Sequence, residues 1–293
     1  MTLIDGKKTA ATIKSEIAKE VVDLIDNNIR PPHLAAILVG EDPASQTYVK
    51  AKEKACASVG ITSSIYNLPE STSEKELLDL VEFLNSDDDL DGFIVQLPLP
   101  DHIDEKSVIN AIAPEKDVDG FHPVNVGKMV LGQEALISAT PNGIMELLKR
   151  YKIDTEGKNC VIVGRSNIVG TPMSILMSRK TNPGNATVTL CHSRTPNMSE
   201  IIKTADILIV AIGKQEFITA AMVKKGAVVI DVGIHRVADA TKKTGFKLVG
   251  DVMFDEVSKK ASHITPVPGG VGPMTIAALL MNTLKAYKNR IEA

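Results

Sequence analysis

The stretch "VIVGRSNIVGTP", residues 161–172, decides the fold of this chain. Val161, Ile162 and Val163 form a short continuous apolar run, which reads as a buried strand ending at Gly164. A phosphate-binding turn between strand and helix needs small residues, so that backbone N–H groups at the helix start can approach the anion. Gly164, Ser166 and Gly170 meet that need, although serine replaces the usual second glycine and the last glycine arrives late. Such a pattern is weak alone. It gains weight by opening the first strand–helix unit of a half-chain that reads as doubly wound.

The next strand discriminates between cofactors. An NAD-type site places Asp or Glu about 20 residues after the glycines to hold the ribose hydroxyls. Here "ATVTLC" (186–191) runs into His192, Ser193, Arg194 and Thr195, with no carboxylate. An acid would repel a 2′-phosphate, whereas a hydroxyl and a guanidinium bind it, and Arg165 adds a second possible fork. The alternative is a pair of solvated arginines on a loop. Arg165, Ser193 and Arg194 therefore predict NADP.

Outward from that turn, strand and helix patterns alternate along all 293 residues. Apolar runs "DILIVAIG" and "AVVIDVG" continue the second half, after a helix over "NGIMELLKRY" with Thr140 as N-cap and Pro141 at its first position. In the first half, Ile13, Ile17, Val21 and Leu24 mark an amphipathic helix. "LAAILVG" (34–40) is a buried strand, and the helix over 44–59 stops at Gly60. Ser73 and Glu76 make a capping box, and "GFIVQL" (92–97) is a strand ended by Pro98 and Pro100. The pattern predicts an α/β fold of two domains, an N-terminal substrate domain with a parallel sheet and a Rossmann-like NADP-binding domain. The boundary is placed near Ala139, giving residues 1–139 and 140–273, with the helix over 274–293 completing the first domain.

Composition narrows the function. The 44% hydrophobic and 24% charged content is that of a globular protein. A net charge of −3 and 3% aromatic residues argue against nucleic acid, which calls for a basic face and stacking rings. The six histidines form no ligand-spaced cluster, so no metal is expected. Cys56, Cys160 and Cys191 are odd in number and read as reduced thiols. No signal-peptide core or membrane-length apolar run is present, so a soluble, cytoplasmic protein is expected.

A second site lies in the first half. Tyr48 and Lys52, four apart, share a helix face, where a snorkelling surface lysine is the plain alternative. Gln96 ends an apolar strand, and strand ends of parallel sheets are where α/β folds bind ligands. Asp117 and Asp119 share a turn with Gly120, where an Asp more often serves as a local backbone acceptor than as a ligand contact.

Together "YVKAK", "VQLPLP", "KDVDGF", "GRSNIVGTP" and "PVPGGVGPMT" resemble, in order and over essentially the whole chain, the bifunctional methylenetetrahydrofolate dehydrogenase/methenyltetrahydrofolate cyclohydrolase family. Met253 in "GDVMFD", where relatives frequently have an acid, is a small departure. The resemblance implies NADP-dependent oxidation of methylenetetrahydrofolate, then hydrolysis to 10-formyltetrahydrofolate, in a cleft between domains of a homodimer. It implies Lys52 as the proton-transferring residue, with Tyr48 and Gln96 holding its amine. Folate contacts would come from Tyr48, Lys52, Val95, Gln96, Leu97, Asp119 and the segment Pro268, Gly269, Gly270, Val271 and Gly272. Gly164, Arg165, Ser166, Ser193, Arg194 and Ile234 would bind the cofactor, Ile234 at the nicotinamide end. The rival enzyme reading, an NADP-dependent dehydrogenase of another small substrate, leaves "VQLPLP" and "KDVDGF" without a role.

Overall fold

The structure is a computed structural model that describes residues 1–242 and 245–291. The chain begins with strand β1 (Thr2–Leu3) and helix α1 (Gly6–Asp26). Strand β2 (His33–Val39), helix α2 (Pro43–Val59), strand β3 (Thr62–Leu68), helix α3 (Glu74–Ser86) and strand β4 (Gly92–Val95) follow. Short helices α4 (Glu105–Ala111) and α5 (Pro123–Val130) lead to α6 (Ala139–Arg150). Alternation resumes with β5 (Asn159–Val163), α7 (Gly170–Ser178), β6 (Thr187–Cys191), α8 (Met198–Ile202), β7 (Ile207–Val210) and β8 (Val228–Asp231). The chain closes with the ribbon β9 (His235–Ala238) and β10 (Phe246–Val249), helix α9 (Phe254–Val257), strand β11 (His263–Ile264) and helix α10 (Val271–Ile291).

Two compact units result, Ala11–Ala139 with Ile276–Ala293, and Met1–Ala10 with Thr140–Thr275. The first holds a parallel sheet in the order β3-β2-β4. Its central strand is apolar and buried almost end to end, as expected when both faces are covered. Local signals set its helices. Asp42 caps α2 by accepting from the Ser45 amide at 2.7 Å, Gly60 ends it at φ 78°, and the Ser73–Glu76 capping box opens α3. Leu77, Val81 and Leu84 of α3 pack with Ile37 and Phe93 as a core. The last helix closes this unit: Tyr287 is buried and donates to Arg30 O at 3.0 Å.

The second unit holds a parallel sheet ordered β1-β11-β8-β7-β5-β6. From β5 the chain crosses to β6 on one side and then to β7 on the other. β5 is thus the strand where direction reverses, the point at which α/β sheets open a ligand crevice at their carboxyl ends.

Several expected boundaries move. The first ten residues belong to the second unit, because Thr2 and Leu3 pair with His263 and Ile264. The division near the C-terminus falls at 275/276 instead of 273/274. Helix α6 starts at Ala139, so Thr140 lies inside it, and its hydroxyl meets that of Thr275 at 2.9 Å in place of capping. All three cysteines are free and buried, and burial pushes the Cys56 and Cys160 thiols up to about 12. No helix among the described residues is long and apolar enough to cross a membrane.

Candidate active site

In the first unit, α2 and the carboxyl end of β4 bring two expected residues together. Lys52 Nζ donates to Gln96 Oε1 at 3.1 Å. The Gln96 amide is oriented, because its Nε2 donates to Leu97 O at 2.7 Å and its backbone N–H reaches Ile37 O at 2.9 Å. The oxygen is therefore the atom left to face the lysine. Val95 is buried as the last residue of β4, and Gln96 and Leu97 are half-buried just beyond it. Tyr48 corrects one expectation. It sits a turn before Lys52 but makes no hydrogen bond to the amine, and its side chain stands 49% exposed. The phenol is left open to solvent, whereas the amine bonds the amide at the strand end.

The two aspartates of "KDVDGF" divide their work. Asp117 is buried and accepts from the Gly120 amide at 3.1 Å, the His122 amide at 2.7 Å and Asn125 Nδ2 at 3.0 Å. It is the local backbone acceptor. Asp119 is half-buried, and its carboxylate accepts no hydrogen bond among the described residues. Burial raises its pKa, the Lys52 charge opposes that rise, and Asp117 adds to it. The turn is held from behind by Asn282 of α10, whose amide donates at 2.8 Å to both Val118 O and Ile137 O. Lys52, Gln96 and Asp119 thus form one polar group whose members include a cation, a fixed amide and a carboxylate with free acceptor sites.

In the second unit, the turn after β5 is built from backbone. A Cβ on Gly164, which has φ 123°, would lie 2.1 Å from Ala211 O, and one on Gly170 would lie 2.0 Å from Gly164 O. No larger residue fits either place without moving main chain. Ser166 closes the turn: its hydroxyl accepts from the Val169 amide at 3.2 Å and its carbonyl from the Thr171 amide at 3.0 Å. Helix α7 begins at Gly170 with no side-chain cap. After β6, His192 and Thr195 brace a tight loop, with the His192 amide donating to Thr195 Oγ1 at 2.9 Å, so that Ser193 and Arg194 stand exposed at its tip. Arg165 is exposed too. Close-approach glycines, an uncapped helix start and exposed guanidinium and hydroxyl groups without a carboxylate suit a phosphorylated dinucleotide.

The Pro268–Gly272 segment belongs to this second unit as well, with its backbone held by the Lys7 amide on Gly269 O at 2.9 Å. Val271 and Gly272 already form the first turn of α10. Ile234 lies between β8 and β9 and is 50% exposed. Around it is a group that the sequence reading missed. Asp231 accepts backbone N–H groups of Gly233, Asp251 and Val252, each at 3.0 Å. Burial pushes it up to about 7 against those donors, which favour the carboxylate. Asp251 accepts the amides of Ile212 at 2.8 Å and Gly213 at 3.1 Å, and His235 Nε2 at 2.7 Å. The available signal was two acids beside strand-type apolar runs, in "VVIDVG" and "LVGDV". Among the described residues no group of acidic, histidine or cysteine side chains is arranged to hold a metal.

Comparison with known proteins finds two profiles of one family in order along the chain. The sequence profile of the tetrahydrofolate dehydrogenase/cyclohydrolase catalytic domain matches residues 4–119, and that of the family's NAD(P)-binding domain matches 138–291. Bifunctional protein FolD of Cytophaga hutchinsonii is 62% identical over 286 residues, covering 98% of this chain and 99% of the relative. That of Bacteroides fragilis is 60% identical over 291 residues, covering 99% of each. Among solved structures, bifunctional FolD of Campylobacter jejuni superposes with a TM-score of 0.93 at 52% identity, over 99% of both chains. The Trypanosoma brucei dehydrogenase-cyclohydrolase, solved with NADP and an inhibitor, has a TM-score of 0.93 at 40% identity, over 100% of this chain and 99% of that one. With both profiles matched along the chain and relatives alike from end to end, this chain belongs to the tetrahydrofolate dehydrogenase/cyclohydrolase family.

Proposed function

We propose that this chain is a bifunctional one-carbon enzyme, which oxidises methylenetetrahydrofolate to methenyltetrahydrofolate with NADP and hydrolyses the product to 10-formyltetrahydrofolate. The observation that carries this reading is the Lys52–Gln96 pair, with Nζ 3.1 Å from Oε1, in one electrostatic group with Asp119. Water adds to the methenyl carbon and gives up one proton. Collapse of the hydroxyl adduct to the formyl group then breaks the bond to the ring nitrogen, as the hydroxyl proton leaves and that nitrogen gains a proton, for a net release of one. Lys52 Nζ is the group assigned to these transfers, and Gln96 holds it in place. Asp119, with acceptor oxygens free, takes the amino and ring N–H edge of the pterin. Tyr48 offers an exposed ring as a substrate contact, beside Val95, Gln96 and Leu97. The Pro268–Gly272 segment is assigned to the folate as well.

NADP, when bound, supplies the hydride acceptor. Gly164, Ser166 and the α7 start hold its phosphates, Arg165, Ser193 and Arg194 take the 2′-phosphate, and Ile234 contributes backbone at the nicotinamide end. Hydride transfer requires no protein acid or base, so these residues contribute by alignment. A cytoplasmic homodimer is the form in which we expect the enzyme to work. The test is direct: follow NADPH formation from methylenetetrahydrofolate and NADP, and separately the decay of methenyl absorbance. A folded protein with neither activity would overturn the assignment.

A further inference from the structure

Ile234 is exposed, yet the residues on each side of it are tied down. Gly233 donates its amide to Asp231 at 3.0 Å, and the His235 ring donates to Asp251 at 2.7 Å. The two acids are linked in turn, because the Asp251 amide donates to Asp231 Oδ1 at 3.0 Å. Asp251 also accepts the Ile212 and Gly213 amides, which follow β7. Asp231 itself is anchored to the end of β11 by its own amide, which donates to Thr265 Oγ1 at 2.7 Å. Packing is tight enough that a Cβ on Gly250 would fall 1.8 Å from Asp231 Oδ2. Three strand-end loops on the carboxyl side of the sheet thus hang from two adjacent buried carboxylates.

We propose that Asp231, Asp251 and His235 are positioning residues for the dehydrogenase step, a bracket that fixes the Ile234 backbone and the Ile212–Gly213 turn for the nicotinamide end of the cofactor. This rests on the NADP reading above. None of the three needs to touch the reacting atoms. Loop ends on the carboxyl side of a parallel sheet are where ligands sit, and they are the least restrained backbone in such folds. A carboxylate that accepts two amides from one loop and a ring N–H from the next removes that freedom before binding. Preorganisation of this kind lowers the ordering cost that a ligand would otherwise bear.

His235→Ala removes the strap after Ile234 and leaves the Asp251 bonds to Ile212 and Gly213 in place. His235→Gln returns an amide donor for the same oxygen. Three readouts are compared across wild type and both variants: the NADP dissociation constant by direct titration, hydrogen exchange of the Gly233 amide, and methenyl hydrolysis without NADP. We expect His235→Ala to weaken NADP binding about tenfold, the scale of one lost charge-assisted hydrogen bond. Exchange at Gly233, whose amide is bonded to Asp231, should quicken, hydrolysis should fall far less than affinity, and His235→Gln should recover most of the loss. Unchanged NADP affinity in His235→Ala, or unchanged exchange at Gly233, overturns the bracket. Equal losses in affinity and hydrolysis also overturn it, since they show a global effect. Failure of the wild-type protein to bind NADP instead overturns the cofactor reading on which the bracket depends.

Discussion

The two candidate sites are made of different material. At the end of β4 the chemistry belongs to side chains: an amine, an amide turned to face it, and a carboxylate with free oxygens. At the end of β5 the site belongs to main chain, with glycines that let backbone approach backbone and charged groups added only at the rim. On the proposed function the first serves proton transfer, which needs an atom that gains and loses hydrogen at a set place. Holding a dinucleotide needs oriented N–H groups and room, which a strand–turn–helix supplies without titratable groups. A side-chain site should therefore lose one reaction when its proton-transferring residue changes. A backbone site should lose binding when bulk is added, and little when a rim charge is removed.

The largest expected effect tests the first half of that contrast. Lys52→Met should lower the cyclohydrolase rate by about 10²–10⁴, the usual contribution of a positioned acid or base. Dehydrogenase activity should decline much less, because the lysine only positions substrate there. Parallel assays on one folded preparation check this, and wild-type hydrolysis in the variant would falsify the mechanism. Gly164→Ala tests the second half. Its methyl would lie 2.1 Å from Ala211 O in a backbone with φ 123°, so the turn must distort. Forced backbone of this sort costs on the order of 1–3 kcal/mol. NADP binding should collapse while methenyl hydrolysis survives at permissive temperature, and calorimetry with cofactor titration would reveal an unaffected turn.

Asp119→Asn should have a smaller and more even effect. It presents a donor to the pterin's donors, and an unsatisfied pair costs about 1–3 kcal/mol, or roughly ten- to hundredfold in folate affinity. Both activities should fall together through KM. Loss of hydrolysis alone, with folate affinity intact, would reassign Asp119 to proton transfer. Arg165→Ala is the mildest. The Michaelis constant for NADP should rise about tenfold with NAD use nearly unchanged, since one charge-assisted contact is removed from an exposed rim. Equal losses for both cofactors would mean that Arg165 serves the shared pyrophosphate.

Much of this was legible in the sequence because the signals are local. Apolar periods, the Ser73–Glu76 box, the Gly60 stop and the strand runs each depend on residues within a few positions of one another. The roles of the chemistry-bearing motifs came only with the family resemblance; what the structure adds is the Lys52–Gln96 pairing across 44 residues. The Asp117–Asp119 pair was only half readable. Spacing marks a turn, but which carboxylate turns inward to bond Gly120, His122 and Asn125 depends on the path of the chain beyond it.

By itself the sequence determined the alternation of strands and helices, the glycine positions of the β5 turn and the set of side chains available for catalysis. Only the tertiary structure decided that Met1–Ala10 joins the second unit, for Thr2 and Leu3 are too short a strand to carry a pattern and earn their place by pairing with His263 and Ile264. It also decided that Tyr48 leaves the Lys52 amine to Gln96, and that Asp231 and Asp251 stand together behind Ile234. Backbone pairing between distant segments and burial of a charge are set by partners far along the chain, so no window of neighbouring residues contains them.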